Sequence, residues 1–278
     1  MKRMYPSVPS ESSAVNQMSE PGQTHARAFI PGAAWESGDV EASGDEGHHL
    51  ARVLRVRVGD RVEIFNGRGG EGAAEVVNVA KDQVRLRVLS RAQRPASRPA
   101  VTLVQPVLRE AQMDWVMQKA VELGASTVVP VWTARGVVRP SGSANRRRRW
   151  EAILLNAARQ CRTAWLPAIE EAAELNDWLA RRPPGLLLLA ALTADAVSLK
   201  QALAAGPAPD RVAVLVGPEG DFTSGELRAA REAGAVAVTL GERTLRAETA
   251  ALYLLSVLQH EWGGPGERPA ASTRTPAH

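Results

Sequence analysis

Three continuous apolar runs in the second half of the chain constrain its fold more than any other feature. They read GLLLLAAL from Gly185, RVAVLVG from Arg211 and AVAVTLG from Ala235. A strand with one face in solvent alternates apolar and polar residues, whereas a strand covered on both faces is apolar throughout. Helical segments lie next to each run, which predicts an α/β domain with a mostly parallel sheet.

Two more strands and two helices are predicted upstream of these runs. VTLVQPVL and STVVPVW are further apolar runs, and between them REAQMDWVMQKAVELG has apolar residues at helical spacing until Gly124. A second helix is predicted from Asn145 to Arg159. The residues expected on the buried faces are Met113, Val116, Met117, Ala120 and Val121 in the first helix, and Trp150, Ile153, Leu154 and Ala157 in the second.

The first half of the chain follows a different pattern. Short alternating runs such as RVEIFNG and QVRLRVLS, separated by Gly, Asn and Asp, predict antiparallel strands. One helix is predicted around His48 to Arg55, and a small β-barrel is the natural arrangement for such strands. The Pro- and Ser-containing stretch from Ser90 to Ala100 predicts a linker. The expected domains are therefore residues 25–92 and 100–262.

Composition excludes several classes of protein. Residues 1–24 are polar and lack the apolar segment of a secretory signal, and residues 263–278 are rich in Pro and Gly, so both are predicted to be disordered. Met18 offers an alternative start within the first of these segments. No apolar run is long enough to cross a membrane. A lone cysteine without a CxxC pair predicts a cytoplasmic protein with no disulfide and no metal site.

The stretch LVGPEGDFTSGE, from Leu215 to Glu226, is the first candidate site. Thr223 and Glu226 form a capping-box pattern, so a helix is predicted to start near Thr223, after a loop at the carboxyl end of a buried strand. Ligands of open α/β sheets bind at such strand ends. The loop lacks the lysine of a phosphate-binding P-loop and carries two carboxylates, which argues against phosphate. An acidic catalytic turn and a plain tight corner are both open at this point.

A second strand-end loop lies in LGERTLRAETAALYLLSVLQ, from Leu240 to Gln259. Gly241 ends the strand, Thr244 is the predicted N-cap, and an almost wholly apolar helix follows. A salt bridge for Arg246 and a favourable interaction of Glu248 with the helix dipole are the structural alternatives to catalytic roles for these two residues.

Together, GPEGDF and LGERTLRAETA resemble the loops of the RsmE family, the small-subunit rRNA methyltransferases of the SPOUT superfamily. RAF, HHLARVLRVRVGD, MDWVMQKAVELG and VLQHEWG extend the resemblance from Arg27 to Trp262. The resemblance implies S-adenosylmethionine as methyl donor and methylation of N3 of one uridine, U1498, in 16S rRNA or the small ribosomal subunit. It also implies a PUA-like, RNA-binding β-barrel, a C-terminal SPOUT α/β domain with a deep trefoil knot, and a homodimer with the cofactor pocket near the subunit interface.

The resemblance also implies site residues. Glycines would allow backbone contacts, and Leu215, Leu240 and Leu245 would sandwich the adenine ring. Uridine N3 carries a proton, so Glu219 and Glu248 are both candidates for the base, and Arg246 is expected to stabilise the developing anion. The implied cofactor-binding residues are Leu215, Val216, Gly217, Pro218, Glu219, Gly220, Leu240, Gly241, Thr244, Leu245, Arg246, Ala247 and Thr249.

Two segments depart from the family pattern. Asp221 stands where the family's GPEGG loop has its last glycine, and the fold tolerates it there if its φ is negative. RQCRT, from Arg159 to Thr163, stands where the family has Glu-Gln-Ser/Cys-Gly-Arg, so Arg162 replaces a glycine. Arg162 is a candidate to supply the guanidinium that the family has one position later.

Arginines are the candidates for RNA contact, because phosphate groups are commonly bound by arginine. The alternative for a charged run on a helix is a merely solvated face. The candidates are Arg27, Arg52, Arg55, Arg135, Arg139, Arg146 and Arg149. Two other functions stay open: a SPOUT enzyme that methylates ribose 2′-O, and an RNA-binding module whose active site has decayed.

Overall fold

The computed structural model of this chain describes residues 23–32, 35, 38–138 and 143–263. Almost all of the predicted disordered leader and tail lies outside these ranges. Gln23 and Thr24, the second of which ends the predicted leader, already belong to the first strand, so the folded part begins earlier than predicted. None of the helices in the described ranges is long and apolar enough to span a membrane.

The N-terminal domain is built on five strands. Its elements are β1 (Gln23–Phe29), β2 (Asp39–Ser43), α1 (Gly44–His48), a π-helical turn (His49–Val53), β3 (Arg61–Phe65), β4 (Gly70–Val79) and β5 (Gln83–Gln93). The strand order is β1-β3-β4-β5-β2, with β1 parallel to β3 and the other pairs antiparallel. Alternate side chains of β2 and of the first part of β5 are buried, as the alternating sequence pattern predicts.

Two boundaries of this domain differ from the prediction. The helical segment starts at Gly44, earlier than predicted, and it ends at Val53, because Arg55 has a left-handed backbone with a φ of 53°. Strand β5 continues to Gln93, inside the stretch predicted as a linker, because its residues pair with β4 as far as Gly70. Only residues 94–99 connect the two domains.

The C-terminal domain alternates strands and helices. Its elements are β6 (Ala100–Pro106), α2 (Glu110–Glu122), β7 (Thr127–Trp132), α3 (Ser143–Cys161), β8 (Ala168–Ile169), β9 (Ala173–Glu174), α4 (Leu175–Arg181), β10 (Leu186–Ala190), β11 (Val197–Ser198), α5 (Leu199–Ala204), β12 (Arg211–Val216), α6 (Ser224–Glu232), β13 (Ala235–Thr239) and α7 (Ala247–Trp262). The strand order is β11-β13-β10-β12-β6-β7-β8, with β9 also on β7. Every pair is parallel, which confirms the predicted parallel sheet.

Helices cover both faces of this sheet, which explains the continuous apolar runs. In β12, Val214 and Val216 pack into the layer of α2, α3 and α7, whereas Leu215 packs into the opposite layer with Trp178 and Phe222. Alternate residues of one strand thus enter two different cores. The predicted inner face of α2 is buried throughout, and three of the four predicted residues of α3 are buried with it. Both helix predictions are confirmed.

Candidate active site

A cavity of about 730 Å³ opens where β10, β12 and β13 end. This volume lies in the range of about 300–1,000 Å³ that is typical of small-ligand sites. The carboxyl ends of parallel strands are the usual binding edge of an open α/β sheet. The walls are mainly apolar and include Ala190, Leu192, Val216, Val238, Leu240, Leu245 and Ala250.

The loop after β12 forms one wall, and Asp221 fixes its shape. The backbone N–H of Asp221 donates to the carbonyl of Pro218 at 2.9 Å, which closes a turn. Asp221 has a φ of 59°, in the left-handed region that favours glycine. Its side-chain Oδ1 accepts a hydrogen bond from the N–H of Phe222 at 2.7 Å. The condition of a negative φ is therefore not met: the backbone has a glycine-like conformation, and the carboxylate stabilises it.

Two side chains outside the cavity brace the same loop. Buried Glu226 completes the predicted capping box, because Oε2 accepts from the N–H of Thr223 at 2.7 Å. Its other oxygen, Oε1, accepts from the N–H of Ala134 at 2.8 Å, so one carboxylate joins the loops after β7 and β12. Arg135 donates from Nη1 to the carbonyl of Gly220 at 3.1 Å. The structure thus places the Arg135 guanidinium, a predicted RNA contact, on a protein carbonyl.

The second wall is the loop between β13 and α7, and the helix begins later than predicted. The first helical residue is Ala247 and the N-cap is Arg246, which has an extended backbone and no side-chain capping bond. Thr244 is therefore not the N-cap. The first hydrogen bond of the helix runs from the N–H of Ala250 to the carbonyl of Arg246 at 2.8 Å, so Thr244 and Leu245 still precede the helix. Arg246 consequently stands at the amino end of α7 and lines the cavity.

The predicted cofactor residues fall into two groups. Three of them do not line the cavity: Leu215 is fully buried beneath the loop, Gly220 faces Arg135, and Thr249 is exposed. The prediction that the Leu215 side chain sandwiches a ligand is wrong, because that side chain belongs to the opposite layer of the sheet. Those that do line the cavity are Val216, Gly217, Pro218, Glu219, Leu240, Gly241, Thr244, Leu245, Arg246 and Ala247.

Two hydrogen-bond acceptors in the cavity wall are buried without a partner among the described residues. They are Oε2 of Glu248, in the first turn of α7, and Oε1 of Gln112, in the first turn of α2. An unpaired buried acceptor is unfavourable by about 1–3 kcal/mol, so a ligand N–H group is its natural partner. Glu219, the other predicted base, is exposed at the rim. Sequence reasoning missed Gln112, whose only signal is its place at the start of a helix that follows a strand end.

The cavity also carries charge of both signs. Arg109 and Arg243 line it together with Arg246, and the acidic lining residues are Glu219, Asp221 and Glu248. Neither Arg109 nor Arg243 was predicted from the sequence as a site residue. Within the described ranges, no cluster of three or more His, Cys, Asp or Glu residues could hold a metal ion.

Arg27 is not at the surface, so its prediction as an RNA contact is wrong. It is only 6% exposed, and its guanidinium lies 4.4 Å from the centre of the Phe65 ring. Its Nη1 donates to the carbonyl of Ala158 at 2.9 Å. Burial lowers the pKa of the Arg27 guanidinium. The side chain joins the two domains instead of facing solvent.

Two other predicted RNA contacts, both in α3, are engaged by the protein itself. The guanidinium of Arg146 lies 5.5 Å from the centre of the Trp132 ring, a cation–π geometry. Arg149 forms ion pairs with Asp114 and Glu110 of α2. These contacts fasten α3 to its neighbours and leave less of each cation available to a phosphate.

The remaining predicted arginines have different surroundings. Arg52 and Arg55 are exposed on the N-terminal domain, and they form no ion pair with any described residue. Arg109 and Arg243 at the cavity are also exposed and form no ion pair with any described residue. Arg139 lies outside the described residues.

Comparison with known proteins is consistent with this geometry. A family model described as "RNA methyltransferase domain" matches residues 95–259, and one described as "RNA methyltransferase PUA domain" matches residues 42–89. The ribosomal RNA small subunit methyltransferase E of Mycobacterium bovis is 33% identical over 231 residues, which cover 79% of this chain and 86% of the relative. Fold and site therefore define an RNA methyltransferase with a PUA-like N-terminal domain. The chain belongs to the ribosomal RNA small subunit methyltransferase E family.

Other relatives support the same family assignment. The enzyme of the same name from Bacillus subtilis is 28% identical over 234 residues, covering 81% of this chain and 91% of the relative. The structure of the Neisseria gonorrhoeae enzyme of that name, bound to S-adenosylmethionine, has a TM-score of 0.76 and 30% identity over 85% of this chain and 98% of its own. A Legionella pneumophila protein, solved with the same cofactor, has a TM-score of 0.77 and 31% identity over 84% and 96% of the two chains.

Proposed function

We propose that this protein is a methyltransferase that uses S-adenosylmethionine to methylate N3 of one uridine in 16S rRNA of the small ribosomal subunit. The observation that carries the proposal is the cavity, which brings together the two loops that resemble the family's cofactor loops, in a chain of that family. Bound S-adenosylmethionine supplies an activated methyl group on its sulfonium. The protein then needs to hold the base, manage the N3 proton and exclude water.

The cavity suits an S-adenosyl group. Leu240 and Leu245 offer apolar surface to a flat ring, and Gly217 and Gly241 let backbone groups approach a ligand closely. A side chain at Gly217 would meet the Phe222 ring at 3.3 Å, and Gly241 has a φ of 120°, so both positions favour glycine. Charges of both signs in the lining match a ligand that carries a sulfonium, an ammonium and a carboxylate.

Glu248 is the proposed acceptor of the N3 proton. Its Oε2 is buried in the cavity wall without a partner, so it is free to accept a hydrogen bond from an N–H group. Glu219 has no such confinement, because it is exposed at the rim. The choice between the two carboxylates therefore rests on position, because only the Glu248 oxygen is held inside the cavity wall.

Arg246 is the proposed stabiliser of the negative charge that develops on the uracil ring. It lines the cavity one turn before Ala250 and forms no ion pair with a described residue. A preorganised cation at the position where charge develops is among the strongest contributions that a site makes to catalysis. Exposed Arg52, Arg55, Arg109 and Arg243 are the proposed contacts to RNA phosphates.

The wider assembly is also part of the proposal. We infer that the protein is cytoplasmic and that it forms a homodimer. Support for the homodimer comes from Trp115 on α2 and Tyr253 on the adjoining α7, which are each 43% exposed. We further propose that the N-terminal sheet closes into a barrel around its apolar cluster and that the C-terminal domain is knotted. The strand order, in which β12 lies between β10 and β6, is compatible with a knot. Mechanical stretching would test the proposed knot, because a knot tightens under force and leaves the fully extended chain shorter than an unknotted chain of the same length.

The test is methyl transfer to 16S rRNA or small subunits, with digestion of the product and mass spectrometry of its nucleosides. We expect 3-methyluridine. A methyl group on ribose would favour the 2′-O alternative, and a failure to bind S-adenosylmethionine in calorimetry would favour the decayed module. Glu248→Gln should lower kcat by about 100-fold or more, as expected for a lost general base, whereas Glu219→Gln should change it little. The reverse order would assign the base to Glu219.

A further inference from the structure

The end of α3 and the loop after it make an extended contact with the N-terminal domain. Arg159 forms an ion pair with Glu46 of α1, and Arg162 forms one with Glu63 of β3. The Arg159 and Glu46 side chains are only 15% and 11% exposed. A pair so shielded from water is screened little by salt, and removal of one partner leaves the other charge poorly solvated.

Backbone groups add a second layer to this contact. The N–H of Gly69 donates to the carbonyl of Ala164 at 2.9 Å, and the N–H of Leu166 donates to the carbonyl of Gly67 at 3.0 Å. Arg68 and Trp165 form the bridge between these two bonds. The turn between β3 and β4 thus pairs with residues 164–166 as a short strand would.

Glu46 and Arg27 tie the contact to the first strand. Glu46 uses both oxygens, because Oε1 accepts from the N–H of Phe29 at 3.0 Å while Oε2 pairs with Arg159. Buried Arg27 donates to the carbonyl of Ala158, in the last part of α3. The charged groups therefore lie in one network that crosses from one domain to the other.

This arrangement has a consequence for a long substrate. The exposed arginines Arg52 and Arg55 lie on the N-terminal domain, whereas the cavity lies in the C-terminal domain. A substrate that contacts both surfaces gains from the second contact only if their separation and angle are fixed, because a loose connection lowers the effective concentration of the second contact. Residues 94–99 alone, a short connection, would leave the angle free.

We propose that residues 159–166 form a rigid joint that holds the two domains at a fixed angle for the RNA substrate, and that Arg159 and Arg162 are positioning residues for that substrate. The inference rests on the proposed function for its substrate. Arg159 and Arg162 act through the N-terminal domain and not on the reacting atoms, so the expected effect is on the KM for RNA. Cofactor affinity and kcat should stay unchanged.

Charge reversal tests the joint. Glu46→Arg and Arg159→Glu each place like charges together and should raise the KM for 16S rRNA about tenfold. The double variant restores the ion pair but not the hydrogen bond from the N–H of Phe29, so it should bring the KM back to within about threefold of wild type. Arg162→Gly removes the more exposed pair and should raise the KM about threefold with the fold intact. Arg231→Ala is the matched control, because it breaks an ion pair with Asp195 at 2.7 Å within one domain.

Hydrogen exchange gives a readout that does not depend on activity. The amides of Gly69 and Leu166 should exchange faster in both reversal variants and return to the wild-type rate in the double variant. Folded single variants with wild-type KM and unchanged exchange would overturn the joint, and so would a double variant that restores neither property. If wild-type protein methylates no RNA while the exchange pattern holds, the proposed function fails and the joint survives as a rigid connection.

Discussion

Replacement of Asp221 tests how this chain holds a left-handed turn at the cavity. With a φ of 59°, Asp221 occupies a conformation that is unfavourable for residues with a side chain, and its Oδ1 accepts a hydrogen bond from the N–H of Phe222 at 2.7 Å. Two substitutions separate these effects. Glycine removes the strain and the hydrogen bond together, whereas alanine removes the hydrogen bond and keeps a strained backbone.

The magnitudes follow from three terms: the backbone strain, the hydrogen bond and the freedom of the unfolded chain. A left-handed residue with a Cβ is unfavourable by about 1–2 kcal/mol, less for Asp than for Ala. The hydrogen bond contributes about 0.5–1.5 kcal/mol, and glycine stabilises the unfolded chain by about 0.5–1 kcal/mol through its greater freedom. For Asp221→Gly these terms nearly cancel, so the free energy of unfolding should change by less than about 1 kcal/mol. Asp221→Ala loses the bond and is somewhat more strained than aspartate in the left-handed region, so it should destabilise by about 1–2 kcal/mol.

Urea unfolding followed by circular dichroism measures the difference, provided that the slope of free energy against urea is the same for all variants. Asp221→Asn is the matched control, because an amide oxygen also accepts a hydrogen bond and asparagine tolerates the left-handed region. Its stability should stay near that of wild type. An alanine variant as stable as the glycine variant would refute the reasoning, since neither the backbone conformation nor the hydrogen bond would then matter.

Three further predictions concern the N-terminal domain and its joint. A Cβ at Gly47 would lie 2.2 Å from the carbonyl oxygen of Asp82, so Gly47→Ala should destabilise the protein by about 2 kcal/mol in the same urea assay. Burial and nearby Arg159 lower the pKa of His49 from its ordinary value of 6.5, so the folded state favours the neutral ring and stability should fall as the pH drops below about 6.5; Arg159→Ala should raise that pKa in an NMR titration. Burial raises the pKa of the Cys161 thiol, so at pH 8 it should react with a thiol reagent more slowly in folded than in urea-unfolded protein.

The sequence predicted the parallel sheet because the apolar runs report burial on both faces directly. It could not say which residue of a run faces the cavity, since both faces of such a strand are apolar. Val216 lines the cavity, whereas adjacent Leu215 lies in the opposite core. That choice depends on the register of β12 against β6 and β10, which is set by the rest of the fold.

Local chemistry was predictable where a short stretch determines it, as in the capping box of Thr223 and Glu226. Prediction from the sequence failed where residues distant in the chain determine the local structure. Arg27 is buried because Phe65 and Ala158 contact it from two other elements, and α7 starts only at Ala247, after Leu245, whose side chain packs against the core. Arg109 lines the cavity but was not predicted, because no motif links a residue before α2 to the loops after β12 and β13.

The two departures from the family pattern share one physical explanation. Asp221 and Arg162 both stand where the resemblance led us to expect glycine, and both keep a positive φ, 59° and 60°. Each residue therefore has a conformation that glycine adopts readily, and a side-chain interaction accompanies it: a hydrogen bond from the next N–H for Asp221, and an ion pair with Glu63 for Arg162. A carboxylate thereby enters the cavity lining, and a guanidinium joins the contact between the domains. Since both positions have a glycine-like backbone and both side chains make a contact, they argue for a retained site more than for a decayed one.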